Sequence, residues 1–274
     1  EKLEDMLRAN NEAPETVIQV NTLKTTADAL IARLEQEGVS ARRHSWMENC
    51  LVLEGSGSID RLESFREGWF YVQDVSSMMV AEYADVKKDD IIIDVCAAPG
   101  GKTTQIAALT NNKAHITACE KNKIRAERLK YNVDKQGATC VFIMPKDSRF
   151  IDDFFSFDQI LLDAPCSGSG TLDYNDANIE KYFSEQLIER SSKTQKTLLS
   201  KAIKLLKPGH EMVYSTCSIL KEENEEIVKR ILKEVKAEIV PIEFEGIEDL
   251  PVLPNSIEGT LCVMPTEKYE GFYI

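Results

Sequence analysis

Two cysteines stand where a β-strand would give way to a turn. Cys166 lies in ILLDAPCSGSG, Ile160 to Gly170, and Cys217 in MVYSTCS, Met212 to Ser218. Each segment is an apolar run in strand register that stops at small residues. Reactive groups and ligands gather outside the carboxyl ends of strands in a parallel sheet, so two such ends deliver both thiols to one edge, where they suit covalent chemistry. Taken singly, a strand-end cysteine is more often a buried and inert small hydrophobe. The neighbouring residues argue for the chemical reading.

Acids mark the same edge. Asp94 lies in the run IIIDVCAA, Glu120 ends HITACEK, Asp147 follows TCVFIMP, and Asp163 ends the run that leads to Cys166. A carboxylate ending the second strand of such a sheet can accept both ribose hydroxyls. Later acids can take the amines of an adenine and of an amino acid. S-adenosyl-L-methionine carries a ribose diol, an adenine amine and a methionine ammonium, and is the cofactor this pattern favours. Any one of the four acids alone would pass as a solvated loop residue.

The first strand-to-helix turn is AAPGGKT, Ala97 to Thr103. Glycines there let a backbone approach a ligand, and the start of the helix favours negative charge. A Walker loop needs a glycine where Cys96 stands and has no place for Pro99. The dinucleotide fingerprint G-x-G-x-x-G is absent. The esterase elbow G-x-S-x-G fails at Ser169, whose residue two back is Ser167.

These turns need a parallel sheet behind them. IIIDVCAA, HITACEK, TCVFIMP, DQILLDAPC and HEMVYSTCS are continuous apolar runs, each followed by a helical or loop segment, as in strands buried on both faces. The fold class is α/β. Upstream, the first segment mixes a short helix with the strand TVIQVNTL; a helix follows over Thr25 to Gly38, then two strand-like pieces, VSARRHSW and NCLVLEG. That order suits a small α+β module over residues 1–75, with the main domain over 76–274. The module's basic set, Lys24, Arg33, Arg42, Arg43 and His44, stands beside Trp46. Phosphate contacts with base stacking on Trp46 are one reading; a solvated strand face beside a buried Trp is the other. Asp74, Ser76 or Ser77 can cap the helix bearing Met78 and Met79. Glu180 to Gly209 reads as one long amphipathic helix ending at Pro208 and Gly209, KEENEEIVKRILKEVKAE as another, and the closing EGFYI as a segment rejoining the sheet.

With 274 residues, 43% of them hydrophobic, the chain can bury a large core. No apolar run approaches the length of a membrane span, and the charged start EKLEDMLRANN is unlike a signal peptide. A cytoplasmic protein with no membrane partner is expected. Seven cysteines without any C-x-x-C or His/Cys cluster argue against a disulfide framework and a metal site. A net charge of −13 excludes a broad basic surface, though not a local groove for nucleic acid.

The residues resemble the Sun-type (Nol/Nop/Sun) RNA cytosine-5 methyltransferases, most closely the bacterial enzymes of 16S ribosomal RNA. The likeness runs over nearly the whole chain through VNTLK at Val20, QDVSS at Gln73, DVCAAPGGKT at Asp94, DAPCSGSGT at Asp163, STCS at Ser215 and EGFYI at Glu270. It implies a class I, Rossmann-like methyltransferase sheet preceded by a small RNA-binding module, an RNA partner and a monomer. By resemblance, Cys96, Ala97, Ala98, Pro99, Gly100, Gly101 and Lys102 hold S-adenosylmethionine, with Glu120 on the ribose, Asp147 near the adenine, and Asp163 on the methionine end or the target base. Cys217 is then the attacking thiolate and Cys166 helps resolve the adduct, with Asp163 and Lys102 assisting. DNA cytosine-5 enzymes instead use the cysteine of a Pro-Cys pair, here Pro165 and Cys166, so swapped roles stay open. Two departures remove expected phosphate contacts: Gln19 replaces a basic residue before VNTLK, and TLDYNDANIEK replaces an Arg-Arg loop. A transfer RNA methyltransferase and a non-catalytic ribosome-assembly factor are the rival readings.

Overall fold

The computed structural model describes residues 15–55, 57–173, 176–243, 247 and 250–274. The short helix expected in the first segment, and Tyr174 of the altered loop, lie outside the described residues. The amino-terminal module is β1 (Thr16–Val20), α1 (Ala27–Gln36), β2 (Ser40–Arg43), β3 (Cys50–Glu54), the short α2 (Glu63–Arg66) and β4 (Phe70–Val72). Its sheet is antiparallel in the order β2-β3-β1-β4. Thr26 caps α1 by accepting the Ala29 N–H, and Gly38 follows with φ 82°, a conformation that costs glycine little.

The main domain contains α3 (Val75–Glu82), β5 (Ile91–Asp94), α4 (Gly101–Leu109), β6 (His115–Cys119), α5 (Lys123–Gln136), β7 (Val141–Met144) and β8 (Phe157–Asp163). It continues through α6 (Ile179–Tyr182), α7 (Glu185–Leu205), β9 (Leu206–Ser215), α8 (Glu225–Leu232), β10 (Cys262–Val263) and β11 (Phe272–Tyr273). The five expected strands form one parallel sheet in the order β7-β6-β5-β8-β9. The order reverses at β5, and the edge outside that point receives the turns after β5, β6 and β8. EGFYI returns as β11, which pairs with β10 and touches the end of β9 through Thr216 and Tyr273.

One part of the sequence reading needs correction. Residues 180–209 are not a single helix: α6 stops at Tyr182, Ser184 caps α7 by accepting the Leu187 N–H at 3.2 Å, and α7 ends at Leu205. Lys207, Pro208 and Gly209 belong to β9. That strand is the sheet's edge, so proline costs no inner ladder hydrogen bond.

Both sheet faces are covered. Ile92, Ile116 and Leu161 pack with Met78, Met79 and Ile106, and the same cluster takes Val17, Met47 and Cys50 from the small module. Ile93, Ile160 and Leu162 pack against Leu198, Leu199 and Ala202 of α7 and Ile227 and Ile231 of α8. Each fully buried side chain of this size contributes about 1.5–3 kcal/mol. Among the described residues, no helix is long and apolar enough to cross a membrane.

Candidate active site

The two thiols meet. Cys166 Sγ and Cys217 Sγ are 3.2 Å apart, each partly open to solvent. Their turns are tied by backbone: Ala164 donates to the Ser215 carbonyl at 2.8 Å, and Gly170 donates to the Cys217 carbonyl at 3.0 Å. Ser169 Oγ lies 2.8 Å from Ser218 Oγ and accepts the Ile219 N–H. Fully buried Glu223 clamps the cysteine turn, accepting the Ser167 N–H at 2.7 Å and the Ser167 hydroxyl at 2.6 Å. Gln195, reaching from α7, donates to the Pro165 carbonyl at 2.9 Å. Nothing in the residue types flagged Glu223, which reads as an ordinary acid near the start of a helix.

Sulfur atoms this close cannot both ionise cheaply. The hydrogen bond to Cys217, then burial, then the Cys217 charge hold the Cys166 thiol far above its ordinary range. Either sulfur can donate the hydrogen bond between them.

Lys102, in the first turn of α4, reaches the same place. Its Nζ is 2.7 Å from Asp163 Oδ2 and 2.7 Å from Ser77 Oγ, and lies 5.0 Å from the Phe272 ring centroid. The Ser215 hydroxyl donates to Asp163 Oδ1 at 3.0 Å. In the sequence Ser77 is only a candidate helix cap, and Ser215 stands inside the motif STCS without an assigned role. Asp74 caps α3 by accepting the Ser76 N–H, and the Ser76 hydroxyl donates to the Glu270 carbonyl, which clips the closing segment to this corner.

Beside the thiols lies the Cys96 to Lys102 turn. Ala97 and Ala98 are buried, and Ala97 donates to the Cys119 carbonyl at 2.9 Å. Cys96 has its thiol raised by burial and by Asp94, Asp163 and Glu120, which leaves it a poor nucleophile. Two residues of α5, a helical turn pair apart, hold the turn from outside: Arg125 donates to the Ala98 carbonyl and Asn132 to the Pro99 carbonyl, both at 2.8 Å. Gly100 has φ 115°, and at Gly101 a Cβ would lie 2.5 Å from Gln73 Oε1. No side chain caps α4, so its first N–H groups face the sheet edge. Glu120 is 6% exposed, accepts the Asn122 N–H at 2.8 Å and lies 3.4 Å from Arg125 Nε. Asp147 is gripped by Arg149, with Nη2 at 2.5 Å, and its carboxyl is held below the usual range chiefly by that bond. An uncapped helix start, bare glycine backbone and a buried carboxylate suit a ligand with a carboxylate at one end and a ribose diol further on.

Three arginines of the module's basic set are already paired with carboxylates. Arg33 pairs with Glu37 and Glu63, Arg42 with Glu15 and Glu54, and Arg43 with Asp28. Trp46 packs against the main core, stacked on Tyr269 with centroids 6.5 Å apart. Arg42 and Arg43 of this strand each face a carboxylate, as the solvated-face reading expects.

Comparison with known proteins agrees with the fold. A family model described as 16S rRNA methyltransferase RsmB/F matches residues 81–274, and a ferredoxin-like domain of RsmF/B-like methyltransferases matches residues 1–60. The chain is 35% identical to ribosomal RNA small subunit methyltransferase F of Vibrio campbellii, over 99% of this chain and 58% of that protein. It is 30% identical to a probable ribosomal RNA small subunit methyltransferase B of Bacillus subtilis, over 100% of this chain and 62% of that one. The chain thus spans little more than half the length of these curated relatives. A methyltransferase homolog from Pyrococcus horikoshii superposes with a TM-score of 0.85 at 31% identity, covering 100% of this chain and 89% of the other. NSun6 of the same organism, solved with SFG, an S-adenosylmethionine analogue, shares the fold at TM-score 0.83 and 24% identity. The sheet is that of S-adenosylmethionine-dependent methyltransferases, and with a family match running from the end of α3 to the last residue, the chain belongs to the RsmB/F family of 16S rRNA methyltransferases.

Proposed function

We propose that this chain methylates carbon 5 of a cytosine in small-subunit ribosomal RNA through a covalent cysteine adduct at carbon 6. In this assignment residues 1–75 form an RNA-holding module and residues 76–274 the catalytic domain. The observation that carries the reading is the thiol pair at 3.2 Å beside the Lys102–Asp163 ion pair. A binding or assembly protein has use for neither.

Carbon 5 of cytosine is too electron-poor to take a methyl group directly. The Cys217 thiolate adds to carbon 6, which turns the ring into an enamine with a nucleophilic carbon 5. Charge arriving at ring nitrogen 3 meets the Asp163–Lys102 pair, which supplies the proton there and stabilises the adduct. The cofactor, when bound, supplies an electrophilic methyl group; Cys96 to Lys102 cradle its methionine and ribose, Glu120 takes the ribose hydroxyls, and Asp147 lies by the adenine.

Release then follows from the electrostatics of the pair. Cys166 stays protonated while Cys217 carries charge beside it. Once Cys217 becomes a thioether that charge is gone and the Cys166 thiol is held up mainly by burial; in this reading Cys166 then passes its proton to solvent and acts as the base. It takes the carbon 5 proton, the electron pair reforms the ring double bond, and Cys217 leaves as thiolate. The same geometry needs a cytosine that has left its stack, as in a loop or a helix end.

Cys217→Ala is expected to abolish both methylation and covalent capture. Cys166→Ala is expected to accumulate protein linked to RNA that survives denaturing electrophoresis. A linked species from Cys217→Ala instead would reverse the two roles, and none from either variant would remove the covalent route.

A further inference from the structure

The chain carries −13 net charge, and Arg33, Arg42 and Arg43 of its small module are paired with acids, yet an RNA substrate needs phosphate contacts somewhere. The solvent face of α5 has the required composition. Ala126, Leu129, Val133 and Gln136 form its buried stripe. Opposite them, at helical spacing, stand Ile124, Arg128, Tyr131 and Lys135. Ile124 is 67% exposed and Tyr131 64%, an unusual pair of large apolar groups on a helix's wet face. The acids of the helix, Glu127 and Asp134, lie on one flank, where Asp134 already holds Lys130 at 2.6 Å.

The carboxyl end of the stripe meets the small module. Lys24 Nζ donates to the carbonyls of Glu67 and Lys135, while Lys135 Nζ sits 3.6 Å over the Phe65 ring and 5.7 Å from that of Tyr131. Among the described residues neither ammonium belongs to an ion pair. Burial and the nearby Lys24 charge both disfavour the charged form of Lys135. Two cations held together without a carboxylate are relieved by an anion that bridges them. The stripe's other end lies at the cofactor edge, where Arg125 meets the Ala98 carbonyl. Arg128, unpaired among the described residues, stands between the two ends.

We propose that the solvent face of α5, with Lys24, is the track along which single-stranded RNA lies on its way to the thiol pair. Lys24 and Lys135 take one phosphate at the joint of the modules, Arg128 takes another, and Tyr131 stacks on a base between them. The stretch from Ile124 to Lys135 is about 16 Å long at the rise of a helix. The inference rests on the RNA-methylating reading above, and its test is a binding measurement independent of methyl transfer.

The probe is a fluorescein-labelled, cytosine-containing single-stranded RNA, followed by fluorescence anisotropy over a range of salt. Arg128→Glu is expected to weaken binding roughly tenfold at low salt and to flatten the salt dependence by about one phosphate contact. Tyr131→Ala is expected to weaken binding by roughly tenfold with the salt slope unchanged. Lys130→Glu, on the acid-paired flank, is the control and is expected to change it less than about twofold. Thermal melts of all three exposed-site variants should match the parent. Affinity and slope unchanged in Arg128→Glu and Tyr131→Ala would overturn the track and leave this face to a protein partner. A parent that binds RNA along it but forms no adduct would overturn the covalent route instead.

Discussion

At the scale of single residues, the instructive side chain is Asp94. It is 3% exposed, and one oxygen accepts the Thr103 hydroxyl at 2.7 Å. Burial, outweighing that bond and the nearby Lys102, pushes its carboxyl up to about 6 from an ordinary 3.8. The folded state therefore binds this proton more tightly than the unfolded chain does. The stability it contributes is fully present below the ordinary carboxylate value and is lost as pH rises through about 6. Asp94→Asn keeps an acceptor for Thr103 and has no charge to bury. Relative to the parent it is expected to be more stable by about 2–3 kcal/mol at about pH 7 than at about pH 4, judged by urea unfolding at each pH. An equal difference at both would mean that Asp94 is hydrated in solution.

Lys102 entered through the resemblance; residue types alone singled out the two cysteines and the acids of the sheet edge, because thiols, carboxylates and glycine turns at strand ends have few other uses together. They could not yield the 3.2 Å separation, which depends on strand order: β8 and β9 are neighbours only because the sheet adds β9 outside β8. Glu223 and Gln195 escaped notice for a related reason. A buried carboxylate looks like a solvated one until the Ser167 turn folds over it. The pairing of the module's arginines was not legible either, since their acid partners lie up to 30 residues away in the chain.

At the scale of elements, the site depends on three backbone segments that touch. The turn after β8, the end of β9 and the closing strand β11 are close enough that no side chain fits between two of them. A Cβ on Gly170 would lie 2.0 Å from the Gly271 carbonyl oxygen and 2.5 Å from its carbon, and Gly271 donates to the Gly170 carbonyl at 2.8 Å. Neither atom is the mobile end of a side chain, so backbone must shift. Gly170→Ala is expected to cost about 2–3 kcal/mol in chemical unfolding, and to slow adduct formation as Gly170 pulls away from the Cys217 carbonyl. Gly57, which has nothing within 4 Å, is the contrasting site: Gly57→Ala is expected within about 0.5 kcal/mol of the parent. Equal melts for the two would show that the closing strand is not seated on the cysteine turns in solution. The division of residues 180–209 is a second lesson at this scale. The amphipathic period is continuous through Leu205, and only the pairing of Leu206 with Phe157 makes the following residues strand.

At the scale of the whole molecule, the two modules are joined by both polar and apolar contacts, and these predict different things. Asn21, 5% exposed, donates from Nδ2 to the Gly68 carbonyl at 2.8 Å and to the Gln136 carbonyl at 2.7 Å. Gln136 returns a bond to the Phe70 carbonyl at 3.0 Å. The end of α5 and the start of β4 are therefore satisfied through two side-chain amides, Asn21 and Gln136. Asn21→Ala strips two buried carbonyls of their donor, which is expected to lower stability by about 2–4 kcal/mol. Were this amide the whole joint, its loss would let the small module unfold by itself, and urea denaturation would show two steps. Val17, Met47 and Cys50, however, belong to the same apolar cluster as Met78, Met79 and Ile92, so the modules share a core. The expected outcome is a single transition at lower urea with an unchanged slope, followed by far-ultraviolet circular dichroism and by tryptophan fluorescence, since Trp46 and Trp69 both lie in the small module. A fluorescence transition that precedes the loss of helix would show instead that the module folds apart from the sheet. In that case the α5 track would lose the Lys24 end on which its binding of RNA depends.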